Sequence, residues 1–301
     1  LRFYGSIPAL VTPFQPGGAL DLQAFDALVR WQVASGSSAV VVGGSTGESG
    51  ALEEWELAEL LACAVAAADG RIPVIAGVGA PATHKSIRLA QLARDVGANA
   101  VLAVTPPYAR PTQRGLVAHY QALAAEGGLP VILYNVPART GVDLLPETVA
   151  QLASVPGIVG IKEAVTAPER MQALLALKRA DFAVLSGDDP TALRALLAGA
   201  DGIISVTANV LPGLVAELFQ RVRAAESAAA ATIDAMLAPV HAALALEPNP
   251  IPVKAALALA ARIHEVLRLP LQPLEASLRE RLQAVLATLD GVRVAAASGH
   301  C

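Results

Sequence analysis

Ile158-Val159-Gly160-Ile161-Lys162-Glu163-Ala164 reads as an apolar strand that ends on a charge. Strands alternate their faces, so Ile158, Gly160 and Lys162 are expected to point one way and Val159, Ile161 and Glu163 the other. Lys162 then projects inward, where an ammonium is costly to bury. The other lysines, Lys85, Lys178 and Lys254, sit in or beside helices, so Lys162 alone ends an apolar strand. A neutral amine attacks carbonyls. An ordinary lysine, of pKa about 10.4, is neutral roughly once in 2,500 molecules at pH 7, and burial raises that fraction. On position alone the simpler account is a strand-end lysine paired with a nearby carboxylate.

Working outward, the same pattern recurs. Apolar strands are expected at Ile7 to Val11, Ala39 to Val42, Val74 to Ala76, Ala100 to Val104, Val131 to Tyr134, Ile158 to Lys162, Ala183 to Leu185 and Gly202 to Ser205. Amphipathic helical stretches separate them. In the first of these Asp21 can cap, and Leu22, Phe25, Leu28 and Val29 recur at helical spacing. Eight such units suit a (β/α)8 TIM barrel. A doubly wound sheet is the runner-up, weakened by the lack of a GxGxxG after the first strand. Beyond residue 225 strand signals stop and three helical stretches follow, the second entered through Glu247-Pro248-Asn249-Pro250-Ile251-Pro252. The expected division is a catalytic barrel over 1–225 and a C-terminal helical domain over 226–301.

A 54% hydrophobic content with 16% charged residues suits a compact chain with a large interior, and a net charge of −4 gives no electrostatic basis for nucleic-acid binding. The Ala-rich stretch from Ala224 to Leu246 is broken by Glu226, Asp234, Pro239 and His241, so it reads as a packing helix rather than a membrane span. No leader segment is recognised before the first strand, which makes the cytoplasm the expected compartment. Cys63 and Cys301 suggest neither a disulfide framework nor a zinc site. The histidines, His300 among them, are scattered, so no metal is expected.

Catalytic groups of such barrels collect where strands run into the following loops. Gly43-Gly44-Ser45-Thr46-Gly47-Glu48 follows the second strand, Thr105-Pro106-Pro107-Tyr108 the fourth, and Tyr134-Asn135-Val136-Pro137-Ala138-Arg139 the fifth. Gly187-Asp188-Asp189 follows the seventh and Ile204-Ser205-Val206-Thr207-Ala208-Asn209 the eighth. The glycine-rich segment suits a carboxylate, because glycines allow close backbone approach and a following helix N-terminus would present free N–H groups. By itself it is equally a turn and cap. Arg139 could grip a second carboxylate or be a surface arginine, and each tyrosine could be a packing residue. Asp189, before Pro190, is expected only to cap a helix.

Together these segments resemble the dihydrodipicolinate synthase family, within the pyruvate-dependent lyase superfamily that includes N-acetylneuraminate lyase. The strongest pieces are Gly47-Glu48-Ser49, Tyr134-Asn135-Val136-Pro137-Ala138-Arg139-Thr140-Gly141, Gly160-Ile161-Lys162-Glu163-Ala164 and Ser186-Gly187-Asp188-Asp189. The resemblance implies that Lys162 forms a Schiff base with pyruvate, whose enamine condenses with L-aspartate 4-semialdehyde in lysine and diaminopimelate biosynthesis, without a cofactor. It assigns the pyruvate carboxylate to Ser45 and Thr46, and a proton relay to Tyr134, Thr46 and Tyr108. Arg139 falls to the aldehyde's carboxylate, and backbone contacts with the adduct to Gly187 and Ile204. It further implies a homotetramer built from tight dimers, in which Tyr108 reaches the neighbouring subunit's site. A sugar-acid aldolase of the same superfamily is the nearer rival, which Arg139 opposes; a non-catalytic metabolite-binding barrel is the more distant one.

Two departures stand out. Ser45 replaces the first threonine of the usual pair, keeping the hydroxyl but losing a rotamer-restricting methyl. The positions matching the lysine-feedback site are Glu54, Leu57, Pro81, Lys85 and Pro107. Lys85 would repel a cationic amine and the two prolines offer no side-chain hydrogen bond. Lysine inhibition is therefore expected to be weak or absent.

Overall fold

The structure, a computed structural model, describes residues 2–298; Cys301 and His300 lie outside the described residues. The strands are β1 (Gly5–Pro8), β2 (Val40–Val42), β3 (Val74–Gly77), β4 (Ala100–Val104), β5 (Val131–Asn135), β6 (Ile158–Glu163), β7 (Ala183–Ser186) and β8 (Gly202–Ser205). All pair in parallel, in the order β1-β8-β7-β6-β5-β4-β3-β2. At the β1–β2 seam Ser38 N donates to Ser6 O and Leu10 N to Val41 O, each at 2.9 Å, so the sheet closes into a TIM barrel. The helices are α1 (Leu22–Ala34), α2 (Glu54–Ala68), α3 (Thr83–Asp95), α4 (Gln113–Glu126), α5 (Pro137–Thr140), α6 (Pro146–Leu152), α7 (Pro168–Leu175), α8 (Ala192–Leu197) and α9 (Pro212–Arg223). Then follow α10 (Ser227–Ala243), α11 (Ile251–Leu259) and α12 (Ala276–Ser298).

Alternation along the strands builds two cores. Ile7, Val41, Ile75, Leu102, Ile132, Leu185 and Ile204 fill the barrel, while Val40, Val42, Val101, Leu133, Ile161 and Val184 face the helices. The outer core runs on into Leu237 and Val240 of α10, Val253 and Leu257 of α11 and Leu282 of α12, so the last three helices bury their apolar faces in it. Asp21 caps α1 as expected, accepting from Ala24 N at 3.0 Å, and Phe25, Leu28 and Val29 are buried beneath it.

The sequence misleads at four places. The first strand is Gly5–Pro8 rather than Ile7 to Val11, because only Gly5 to Pro8 match the ladder of β8; Ala9 makes only an isolated bridge to Val41, and the apolarity of residues 9–11 reflects their burial. In β6 the register jumps, since Val131 pairs with Ile158 but Ile132 with Gly160. This bulge turns Ile158 into the outer core with Ile161 and sends Val159 to the inner one, whereas Lys162 keeps its inward aim. Lys254, read as an ordinary helix lysine, is fully buried on α11. Asp189 does not cap α8: its carboxylate accepts from Ser205 Oγ at 2.5 Å, Val206 N at 2.9 Å and Thr207 N at 3.0 Å, tying the β7 loop to the β8 loop. Asp188 instead accepts from N and Oγ1 of Thr191, the residue just before α8, and α8 has no side-chain cap.

Candidate active site

Tyr134 and Lys162 stand opposite each other in the β5–β6 ladder, at the strands' C-terminal ends. Lys162 is 5% exposed, with Nζ 4.2 Å from the centroid of the Tyr134 ring. Among the described residues it has no ion-pair partner. Lys254 is the opposite case: its Nζ donates to Glu48 Oε1 at 2.6 Å and Thr12 O at 2.8 Å. Burial pulls the Lys254 amine below the usual lysine range, and Glu48 opposes that shift. The simple ion-paired account thus describes Lys254 and not Lys162.

Gly187 follows β7, with its N–H donating to Glu163 O at 2.7 Å. A β-carbon there would fall 2.9 Å from Lys162 Cε and 3.0 Å from Cγ, so a larger residue would have to push the lysine stem aside. Ile204, on β8, is 1% exposed within the inner core. On the opposite face of β6, Glu163 is buried and accepts from Asn135 Nδ2 at 3.1 Å and Val165 N at 2.7 Å. Asn135 Nδ2 also donates to Asp143, which pairs with Arg170 at 2.5 Å. This cluster ties together the strand ends that carry Tyr134 and Lys162. Burial raises the Glu163 carboxyl to about 7, against the opposing pull of Val165 N–H, Asn135 and Arg170.

The loop after β2 carries Ser45 and Thr46 between Gly43 at φ 65° and Glu48 at φ 55°. No helix N-terminus follows directly, contrary to expectation: a short 3₁₀ turn, Ser49–Ala51, intervenes. The start of α2 is satisfied by its own capping box, in which Glu53 N donates to Glu56 Oε2 at 3.0 Å. The hydroxyls, rather than free helix N–H groups, remain to meet a carboxylate. Thr46 is 3% exposed, and its Oγ1 accepts from Asn249 Nδ2 at 3.0 Å. Asn249 O in turn accepts from Arg139 Nη2 at 3.0 Å. In the sequence Asn249 is only part of a proline-rich entry to a helix, and its place between Pro248 and Pro250 is the one signal it carries.

A cleft of about 710 Å³ opens here, lined in part by Ser45, Val136, Arg139, Lys85, Pro107 and Asn249. Tyr108 is not gathered with the others. It is 94% exposed, on left-handed backbone at φ 67°, with its N–H donating to Thr140 O at 3.3 Å. Among the described residues no group of three or more His, Cys, Asp or Glu side chains could hold a metal ion.

A buried lysine facing a tyrosine at the mouth of a barrel is shared by many chemistries. The model of the dihydrodipicolinate synthetase family matches residues 2–289. The chain belongs to this family. It is an enzyme of the lyase class. It is 54% identical over 272 residues to the 4-hydroxy-tetrahydrodipicolinate synthase of Stenotrophomonas maltophilia (strain R551-3), covering 90% of this chain and 91% of that one. Among solved family members, the chloride-inhibited dihydrodipicolinate synthase of Acinetobacter baumannii, complexed with pyruvate, superposes with a TM-score of 0.92 at 44% identity, covering 94% of this chain and 98% of that one. The enzyme of Cyanidioschyzon merolae, solved with lysine bound, does so with a TM-score of 0.92 at 34% identity, covering 95% and 98%.

Proposed function

We infer that this lyase condenses pyruvate with L-aspartate 4-semialdehyde, as a 4-hydroxy-tetrahydrodipicolinate synthase of lysine and diaminopimelate biosynthesis. The observation that carries the reading is Lys162: a buried amine with no ion-pair partner among the described residues, facing a tyrosine ring at the barrel mouth. Its nitrogen adds to the pyruvate carbonyl, the carbinolamine loses water, and an imine joins Lys162 to the keto carbon. Loss of a methyl proton gives the enamine, which attacks the aldehyde carbon. The substrate's own amine then closes the ring and releases Lys162. One water leaves over the whole turnover, no redox partner is needed, and no cofactor is required.

Ser45 and Thr46 hold the pyruvate carboxylate by hydroxyl donation, and Tyr134, Thr46 and Tyr108 pass the protons. Arg139 takes the aldehyde's carboxylate. The 94% exposure of Tyr108 supports a role in another subunit's site, with tight dimers pairing into a homotetramer. The assigned compartment is the cytoplasm, and among the described residues no helix is long and apolar enough to cross a membrane. The test is borohydride reduction in the presence of pyruvate, followed by peptide mass mapping and a panel of aldehydes. The expected outcome is a pyruvate-derived adduct on Lys162 and none on Lys254, with aspartate semialdehyde the preferred acceptor. Absence of the Lys162 adduct would refute the Schiff-base chemistry; preference for a sugar-derived aldehyde would refute the substrate.

A further inference from the structure

Two left-handed residues bracket the hydroxyl loop, Gly43 at φ 65° and Glu48 at φ 55°. Glycine adopts that conformation freely, whereas a glutamate is strained there and must be held by its surroundings. Between the two, Gly47 N donates to Gly44 O at 3.0 Å and Glu48 N to Ser45 O at 3.3 Å, so the chain coils back on itself. Among the described residues, the N–H groups of Ser45 and Thr46 are left without an acceptor. Successive free N–H groups in such a coil make a concavity for an anionic oxygen. Its shape depends on the bracket at Glu48.

What holds Glu48 comes from the far end of the chain. Its Oε1 accepts from Lys254 Nζ at 2.6 Å and its Oε2 from Arg268 N at 3.0 Å. Lys254, on α11, is fully buried, with Thr12 O at 2.8 Å as its other acceptor and the Phe14 ring centroid 4.3 Å away. Thr12 Oγ1 in turn donates to Gly47 O at 2.7 Å, so the loop is gripped at neighbouring residues. With the Asn249 contact on Thr46, these bonds clamp the loop to the segment that leads into α11. A carboxylate on relaxed backbone would neutralise Lys254 equally well; one on a left-handed residue also fixes the backbone that carries it. We propose that Lys254 is a positioning residue for substrate binding, which acts through Glu48 to keep the N–H groups of Ser45 and Thr46 in the shape that receives the pyruvate carboxylate. This deepens the reading of the loop as the carboxylate's site and rests on it. Without the ion pair the loop relaxes, and the apparent affinity for pyruvate falls with the fraction of chains that keep the competent shape.

Removing Lys254 alone would leave Glu48 buried and unpaired. Two charge-free double variants avoid that, E48Q/K254M and E48G/K254M. Both lose the ion pair, but only the second can do without it, because glycine is at ease in the left-handed region. Measurements are the pyruvate concentration that gives half-maximal borohydride trapping on Lys162, the KM for the aldehyde, and the thermal midpoint. The half-trapping concentration is expected to rise about 10-fold in E48Q/K254M, the factor that the strain of one such residue corresponds to. In E48G/K254M it is expected to stay within about threefold of wild type, although the thermal midpoint falls in both. The aldehyde KM stays within about threefold in both, because Arg139 is untouched. If either double variant fails to fold, E48Q is compared with E48G, Lys254 being able to shed its charge, and the same order is expected. Equal half-trapping concentrations in the glutamine and glycine variants, whether raised or unchanged, overturn this proposal and leave the Schiff-base reading intact. A wild-type enzyme that traps no pyruvate removes the Schiff-base reading and this proposal together.

Discussion

Gly187 and Lys162 illustrate how closely the site is packed at the level of single atoms. With 2.9 Å between a notional β-carbon and Lys162 Cε, the mutation G187A forces either the backbone or the lysine stem to move. Strand β6 is pinned on both sides, so the stem gives way. Restoring ordinary contact takes a shift of about 0.5 Å, about half of the 1 Å misplacement that costs about 100-fold where a nucleophile must meet a carbonyl. Kinetics of G187A are therefore expected to show kcat lower by about one order of magnitude, with a thermal midpoint close to wild type; unchanged kcat would show that the stem has room to spare. Residues differ in how legible they are. Lys162 could be read because its strand is local. The burial of Lys254 could not, because its helix looks ordinary and its partner Glu48 lies 206 residues away. The same holds for Asn249, whose contacts with Thr46 and Arg139 cross 203 and 110 residues.

Among the elements, β5 and β6 do most to align the chemistry, and their outer faces are joined by Glu163. Its carboxyl titrates at about 7 in the folded chain, against an ordinary value of 4.5, because burial disfavours the charge. The native state thus binds a proton that the unfolded chain releases between those values. Its stabilising effect is complete below about pH 4.5 and is lost as pH rises through about 7. In E163Q this dependence disappears. Unfolding by urea at pH 5 and pH 8 should show wild type losing about 1–3 kcal/mol more than E163Q across that interval; parallel pH profiles would contradict the assignment. Eight strands were legible because parallel strands buried on both faces are short apolar runs between turn signals. The bulge at Val159 was not, because an all-apolar run carries no alternation from which to read a slip. Asp188 and Asp189 are chemically identical neighbours, and only the fold decides which holds Thr191 ahead of α8 and which binds the β8 loop.

At the scale of the whole molecule, the cleft sets what a lysine ligand would meet. Pro81, Lys85 and Pro107 line it, and Glu54 is engaged by Arg88 at 2.7 Å. A cationic amine entering there meets Lys85 and finds no carboxylate free at Glu54. Titration of activity with lysine is expected to give half-inhibition above about 1 mM, the level at which net binding falls below about 4 kcal/mol. Strong inhibition below that concentration would require a lysine site elsewhere. The clamp on the hydroxyl loop has a different consequence, one of timing. Thr46 leaves the ribosome early, and Asn249 and Lys254 emerge some two hundred residues later. A nascent barrel thus carries its nucleophile and its strands before it carries the clamp. The loop that carries Thr46 therefore makes its last contacts only once the final fifth of the chain has been translated and has docked.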